Sequence, residues 1–192
     1  MERILAHHKF ENVIFYKSGS EGYPLCLNIA TYNVLQQNLD TPILILEDDI
    51  VFRKNPNFIY DIPDNSDAVY FGISGNCANS EFTRNRLVVS GDYELYNDTF
   101  FQVKNMLSTH AILYLGKEYK KIVSENVLAQ ESPSDLIICK FLSVFRIYGL
   151  CQPLCWQSEK LGNRNWNEHI TKVIYKESGC YHYPYEEDDS CF

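Results

Sequence analysis

No stretch of this sequence approaches the ~20 consecutive apolar residues that a membrane-crossing helix requires, so no membrane span is expected. The first residues, MERILAHHKF, lack the apolar core of a secretory signal. Basic residues are scarce: 17 Lys and Arg stand against 25 Asp and Glu, for a formal net charge of −8. Non-specific nucleic-acid binding needs a basic footprint that releases phosphate counterions, so no nucleic-acid partner is expected. A small anionic ligand held locally, or through a metal ion, is still compatible with that charge. Charged residues amount to 22%, too few for a disordered chain. There is no internal repeat, no low-complexity linker and no Gly-rich, Lys-bearing phosphate loop near the start. The seven cysteines form no zinc pattern, because only Cys151 and Cys155 lie close together and no second pair answers them. Reduced, mostly buried thiols in a cytoplasmic protein are the expectation.

What is present suffices for one domain. The 192 residues are 45% hydrophobic, and a chain of this length buries roughly 70% of its unfolded surface. Asn12–Tyr16 (NVIFY) reads as a short strand, followed by a turn from Ser18 to Pro24. Leu25, Ile29, Tyr32, Val34 and Leu35 have helical spacing that fades at Gln36 to Asn38. Pro42–Leu46 (PILIL) is a continuous apolar run, as expected of a strand buried on both faces of a mainly parallel sheet. Strand, helix and strand then compose a βαβ unit. Further strands are expected at Asp67–Ile73, loosely at Leu87–Tyr96, at His110–Leu115 and, interrupted, at Ile147–Trp156. Helices are expected at Lys117–Leu128 and from Asp135 onward; Ser74–Asn85 and Ser158–Asn167 read as loops. The order of elements is α/β.

The informative segment is ILILEDDIVF, residues 43–52. A buried strand cannot keep three consecutive carboxylates in its core, because unpaired buried charge is costly. They emerge at the strand's carboxyl end, where open α/β sheets place ligands. Strand alternation puts Glu47 and Asp49 on one side and Asp48 on the other. Two carboxylates on one side form a hard-oxygen site for Mg²⁺ or Mn²⁺, which can grip a diphosphate. The plain alternative is that the acids cap a turn or sit in solvent.

This segment resembles the acidic motif of GT-A glycosyltransferases, in which an apolar strand ends in Asp-x-Asp or a variant such as Glu-Asp-Asp. It is most similar to glycosyltransferase family 25, the lipooligosaccharide and collagen galactosyltransferase group. The likeness continues in order over roughly residues 20–165. GYPLCLNIATYNVLQQ is similar to the family's glycine-led helix, and SDAVYFGISG to its strand ending in Leu-Gly, here Phe71-Gly72. STHAILYLGKEYKKIV resembles its G-T-x-A-Y strand and following helix, with Ser108 in place of Gly. SPSDLIICKF resembles its P-x-D helix start, and LCQPLCWQSEKLGNR its closing P-x-x-x-Q segment. The family's first strand and basic turn have no clear counterpart: either the chain is a shortened form, or Asn12–Tyr16 and the loop after it take that role.

The resemblance implies a GT-A, Rossmann-like, mostly parallel sheet flanked by helices. It implies a single domain over 1–192, with a nucleotide-sugar half at about 1–75 and an acceptor half at about 76–192. The implied activity is a metal-dependent, inverting transfer of a sugar from a nucleotide donor, foremost a UDP-sugar, to a hydroxyl of a glycan or glycoprotein. Two alternatives stand beside it: a non-catalytic sugar- or nucleotide-binding module, and a nucleotidyltransferase.

Glu47, Asp48 and Asp49 would form the Mn²⁺ (or Mg²⁺) and nucleotide-sugar site, with Asp49 the direct ligand, Glu47 beside it, and Asp48 reaching ribose or sugar hydroxyls. A GT-A site often takes a further ligand from the C-terminal segment, where His169 is the first candidate, His182 the second, and Arg164 and Lys172 the cations for phosphate. Asp135 is the candidate general base, although an aspartate where a helix starts is equally a capping residue. Gly19 and Gly22 permit close backbone approach to a nucleotide and Tyr23 can stack on its base, yet a plain turn explains them as well. Ser74, Gly75, Asn76, Thr109 and His110 follow or open strands where donor or acceptor would lie. Trp156 and Gln157 fall where the family pattern ends. The acidic run Glu186–Asp189 reads as a solvated tail or a second cation site.

Overall fold

Helix α1 (Leu25–Gln37) forms over the expected periodic residues and buries Leu35 and Asn28. Asn38 closes it: its N–H donates to the Leu35 carbonyl at 3.1 Å and its side-chain amide to the Val34 carbonyl at 2.8 Å. Helix α2 (Lys117–Ala129) places Tyr119, Val123 and Val127 at four-residue spacing along one buried stripe. The computed structural model in which these elements lie describes residues 12–17, 19–53, 56, 58–73 and 92–157.

The strands are β1 (Ile43–Leu46), β2 (Ile50–Phe52), β3 (Ala68–Tyr70), β4 (Asp92–Leu95), β5 (Phe100–Asn105), β6 (Ala111–Tyr114), β7 (Ile147–Leu150) and β8 (Cys155–Gln157). Six of them make a mixed sheet in the order β1-β6-β3-β7-β5-β4, while β2 and β8 pair antiparallel as a separate ribbon. Alternating side chains serve two cores. Ile43, Ile45, Tyr70, Ile112 and Tyr114 meet Leu35 of α1 and the α2 stripe on one face. Leu44, Leu46, Val69, Phe71 and Leu113 meet Ile50, Phe52, Leu154 and Cys155 on the other. The molecule is therefore α/β, with helices on one face of the sheet and the β2/β8 ribbon on the opposite face.

Antiparallel packing of α1 on α2 is secured at both ends. Near the start of α1, the buried Asn28 amide donates to the carbonyls of Gln130 (3.1 Å) and Ser132 (2.9 Å). At its other end, Lys120 donates from a buried ammonium to the Asn38 and Thr41 carbonyls, each at 2.7 Å. Burial lowers the Lys120 pKa from the ordinary lysine value, and the charge of Asp40 opposes that. Hydrogen bonds to a charged group contribute about 1.5–3 kcal/mol. Lys120→Met is therefore expected to cost about 2 kcal/mol and lower Tm by about 4–8 °C in a thermal melt. An unchanged melt would show that this clamp contributes nothing.

Three expectations are corrected. The sheet is not mostly parallel: among the described residues only β3 and β7 are parallel neighbours, and β1, β3, β5 and β7 otherwise meet antiparallel partners. An apolar run such as PILIL reports burial but not the direction of the neighbouring strand, and β1 is a half-buried strand at the sheet's edge. Asn12–Tyr16 is not a strand, so no βαβ unit forms there. Ile14 and Phe15 are 86% and 55% exposed, and the Tyr16 hydroxyl accepts a hydrogen bond from Asn33 of α1 at 2.7 Å. β-rich composition describes fitness for a sheet, and a strand exists only beside a partner. Lastly, the helix near Asp135 is short: α3 (Ser134–Ile138) gives way to a 3₁₀ turn at Cys139–Phe141.

The described cysteines, Cys26, Cys139, Cys151 and Cys155, are free thiols. No helix among the described residues is long and apolar enough to cross a membrane.

Candidate functional site

Strand β1 ends at Leu46, and the three acids that follow occupy the crossing from the main sheet to the β2/β8 ribbon. Glu47 continues the ladder by one bond, its N–H donating to the His110 carbonyl at 2.9 Å. Asp48 and Asp49 then form a turn, so the strand alternation expected for the three acids does not carry through them. Their exposure still differs: Glu47 and Asp49 are half-buried, Asp48 is exposed, and one Asp49 carboxylate oxygen, Oδ1, is fully buried. Thr109 donates its hydroxyl hydrogen to Glu47 Oε1 at 2.6 Å. The Glu47 charge also reaches over the helical face, where it adds to burial in pushing the Tyr114 phenol up.

His110 opens β6 beside this turn but faces inward. Its ring is buried, Nδ1 lies 2.5 Å from Ser108 Oγ, and Nε2 faces the Cys155 carbonyl without a hydrogen bond of normal geometry. A carbonyl opposite Nε2 favours the tautomer with its hydrogen there, so Ser108 donates to Nδ1. Burial lowers the ring's pKa to about 4, with the Cys155 carbonyl opposing. Burial also pushes the Cys155 thiol up, so it stays protonated. Gly72, just past β3, admits the ring: a Cβ there would collide with His110 Nε2 and lie 2.6 Å from the Cys155 oxygen. His110 is thus a pin between the two sheets, turned away from solvent.

Asp135 lies in the first turn of α3, whose capping position is Pro133, and its Oδ1 accepts the Leu136 N–H at 2.8 Å. It is thus not the helix's N-cap. The bonds of Asn28 to Gln130 and Ser132 hold the link into α3 against the first turns of α1. That link and the N-terminus of α1 therefore lie together. Gly22 and Tyr23 precede α1 at the same end. The Gly22 carbonyl accepts the Cys26 N–H at 3.3 Å, a Cβ on Gly22 would meet nothing within 4 Å, and Tyr23 is 66% exposed. Glu47 and Asp135 are held by separate elements, β6 and α3.

His169, His182, Arg164, Lys172, Ser74, Gly75, Asn76 and the Glu186–Asp189 run lie outside the described residues, and so do the side chains of Trp156 and Gln157. Among the described residues, no three His, Cys, Asp or Glu side chains gather into a group able to hold a metal ion. The donors that fit a divalent cation here are two half-buried carboxylates, Glu47 and Asp49, hard oxygen ligands of the kind Mg²⁺ and Mn²⁺ take. Nothing in the sequence signals the Thr109–Glu47 bond or the fit of His110 against Gly72, since each joins residues some 40 to 60 positions apart.

No protein-family model, no curated protein and no solved structure matches this chain.

Proposed function

We propose that this chain is a metal-dependent glycosyltransferase that moves a sugar from a nucleotide donor, foremost a UDP-sugar, to a hydroxyl of a glycan or glycoprotein. The observation that carries the reading is the acidic turn at the carboxyl end of β1, with Glu47 and Asp49 half-buried beside an exposed Asp48. A divalent cation held by Glu47 and Asp49 lets a chain of net charge −8 retain a diphosphate. When bound, it supplies Lewis-acid stabilisation of the charge that develops on the leaving diphosphate.

The chain's own residues supply the rest. Tyr23, exposed before α1, stacks on the nucleotide base. Asp135 accepts the proton of the acceptor hydroxyl as that oxygen attacks the anomeric carbon, while the bond from this carbon to the diphosphate oxygen breaks. A single displacement of this kind inverts the configuration.

Calorimetric titration with a panel of nucleotide sugars, with and without Mn²⁺, tests the reading. The expected result is binding that requires Mn²⁺ and is lost in Asp49→Ala. Absence of metal-dependent binding in the parent chain would sink it. Asp135→Asn is expected to bind donor unchanged and to lose transfer by about 10²–10⁴-fold, the usual contribution of a general base. Undiminished transfer by that variant removes Asp135 from the chemistry, and donor binding with no turnover in the parent chain points to a binding module.

A further inference from the structure

Thr109 stands apart from the residues on either side of it. Ser108 and His110 are buried and bond each other, whereas Thr109, half-buried, donates its hydroxyl hydrogen to Glu47 Oε1 at 2.6 Å. The next carbonyl, that of His110, accepts the Glu47 N–H at 2.9 Å. Two consecutive residues thus hold Glu47 through both its main chain and its carboxylate. The backbone that presents Thr109 is itself fixed, because the His110 ring is wedged between Gly72 and the Cys155 carbonyl.

A glutamate carries its carboxylate on three rotatable bonds, and a cation needs its oxygens in one orientation. Carboxylate ligands of metals are commonly oriented by a hydrogen bond from a neighbour, and losing that neighbour typically weakens metal affinity 10–100-fold. We infer that Thr109 is a positioning residue for Glu47, its hydroxyl setting the orientation in which the carboxylate meets a divalent cation between Glu47 and Asp49. The inference rests on the metal-dependent reading proposed above.

The test uses Mn²⁺ alone, without nucleotide sugar, titrated into the full chain and followed by electron paramagnetic resonance of the free ion. Thr109→Val is expected to weaken Mn²⁺ binding about tenfold or more, and Thr109→Ser to restore it. Thr109→Ala makes the same comparison if valine disturbs the fold. A role in general packing would not be rescued by the one variant that keeps the hydroxyl and loses the methyl. Should the parent chain bind Mn²⁺ and Thr109→Val bind it equally well, the positioning role is overturned while the metal reading stands. The positioning role is overturned in the same way if Thr109→Ser binds as weakly as Thr109→Val. Should the parent chain bind no Mn²⁺, the metal reading falls and takes the positioning role with it.

Discussion

Gly72→Ala is expected to destabilise the chain by about 3 kcal/mol or more, near the upper end of what one overpacked methyl costs. The added carbon would collide with His110 Nε2 and sit 2.6 Å from the Cys155 carbonyl oxygen. Neither neighbour yields readily. The ring is buried and bonded to Ser108, and the carbonyl belongs to the first residue of β8. Urea denaturation should show the midpoint falling, with a drop in Tm of about 6–12 °C in a thermal scan. The double variant Gly72→Ala with His110→Ala should lose less than the two single losses added together, because removing the ring relieves part of the clash. Strict additivity would mean that the two residues do not meet.

The second large effect is a loss of stability in mild acid. His110 has a pKa of about 4 in the folded chain against 6.5 for an ordinary histidine. As pH falls, the unfolded chain takes up this proton first, so the contribution is complete above pH 6.5 and drains away between 6.5 and about 4. The slope is about 1.4 kcal/mol per pH unit at most, and the total loss about 3 kcal/mol. Among the described residues the polar groups beside the ring are the Ser108 hydroxyl and the Cys155 carbonyl, neither of which offsets a positive charge as an anion would. Asp40 and Glu94, held below their ordinary carboxylate values of 3.8 and 4.5 by hydrogen bonds from Lys117 and Lys104, begin to lose their contributions only at the bottom of this window and below it. Denaturation curves at pH 7, 6 and 5 for the parent chain and for His110→Gln separate the effects: the variant should show a flatter dependence, whatever its stability at pH 7. An equal slope would assign the acid loss to other groups.

Local features were legible where a periodic signal met a packing need. The helical spacing of Leu25 to Leu35 corresponds to a helix that buries Leu35, and the helix expected at Lys117–Leu128 is α2. The run at Ile43–Leu46 is a strand, and so is the apolar stretch at Ala111–Tyr114. What periodicity could not convey was partnership. NVIFY has strand composition without a neighbour, and β1 has a neighbour running opposite to the one assumed. Strand β5 went unanticipated although its turn chemistry was visible: Asn97 accepts the Thr99 and Phe100 N–H groups at 2.8 Å each, the Asx turn that joins β4 to β5. Of the site, the acids at the end of β1 were readable from the cost of burying charge. The surroundings of Glu47 were not, because Thr109 and His110 reach it only through the pairing of β1 with β6.

The ribbon of β2 and β8 also sets a timetable for synthesis. It joins Val51 to Trp156, about a hundred positions later in the chain. At translation rates of about 5–20 residues per second, Ile50–Phe52 waits roughly 5–20 s for its partner to be made. During that interval the downstream anchor of the acidic turn does not exist, and Ile50–Phe52 lack the strand that pairs with them. The candidate site is thus among the last parts of the described fold to assemble, and until β8 is made the nascent chain carries an unpaired strand edge in the same segment.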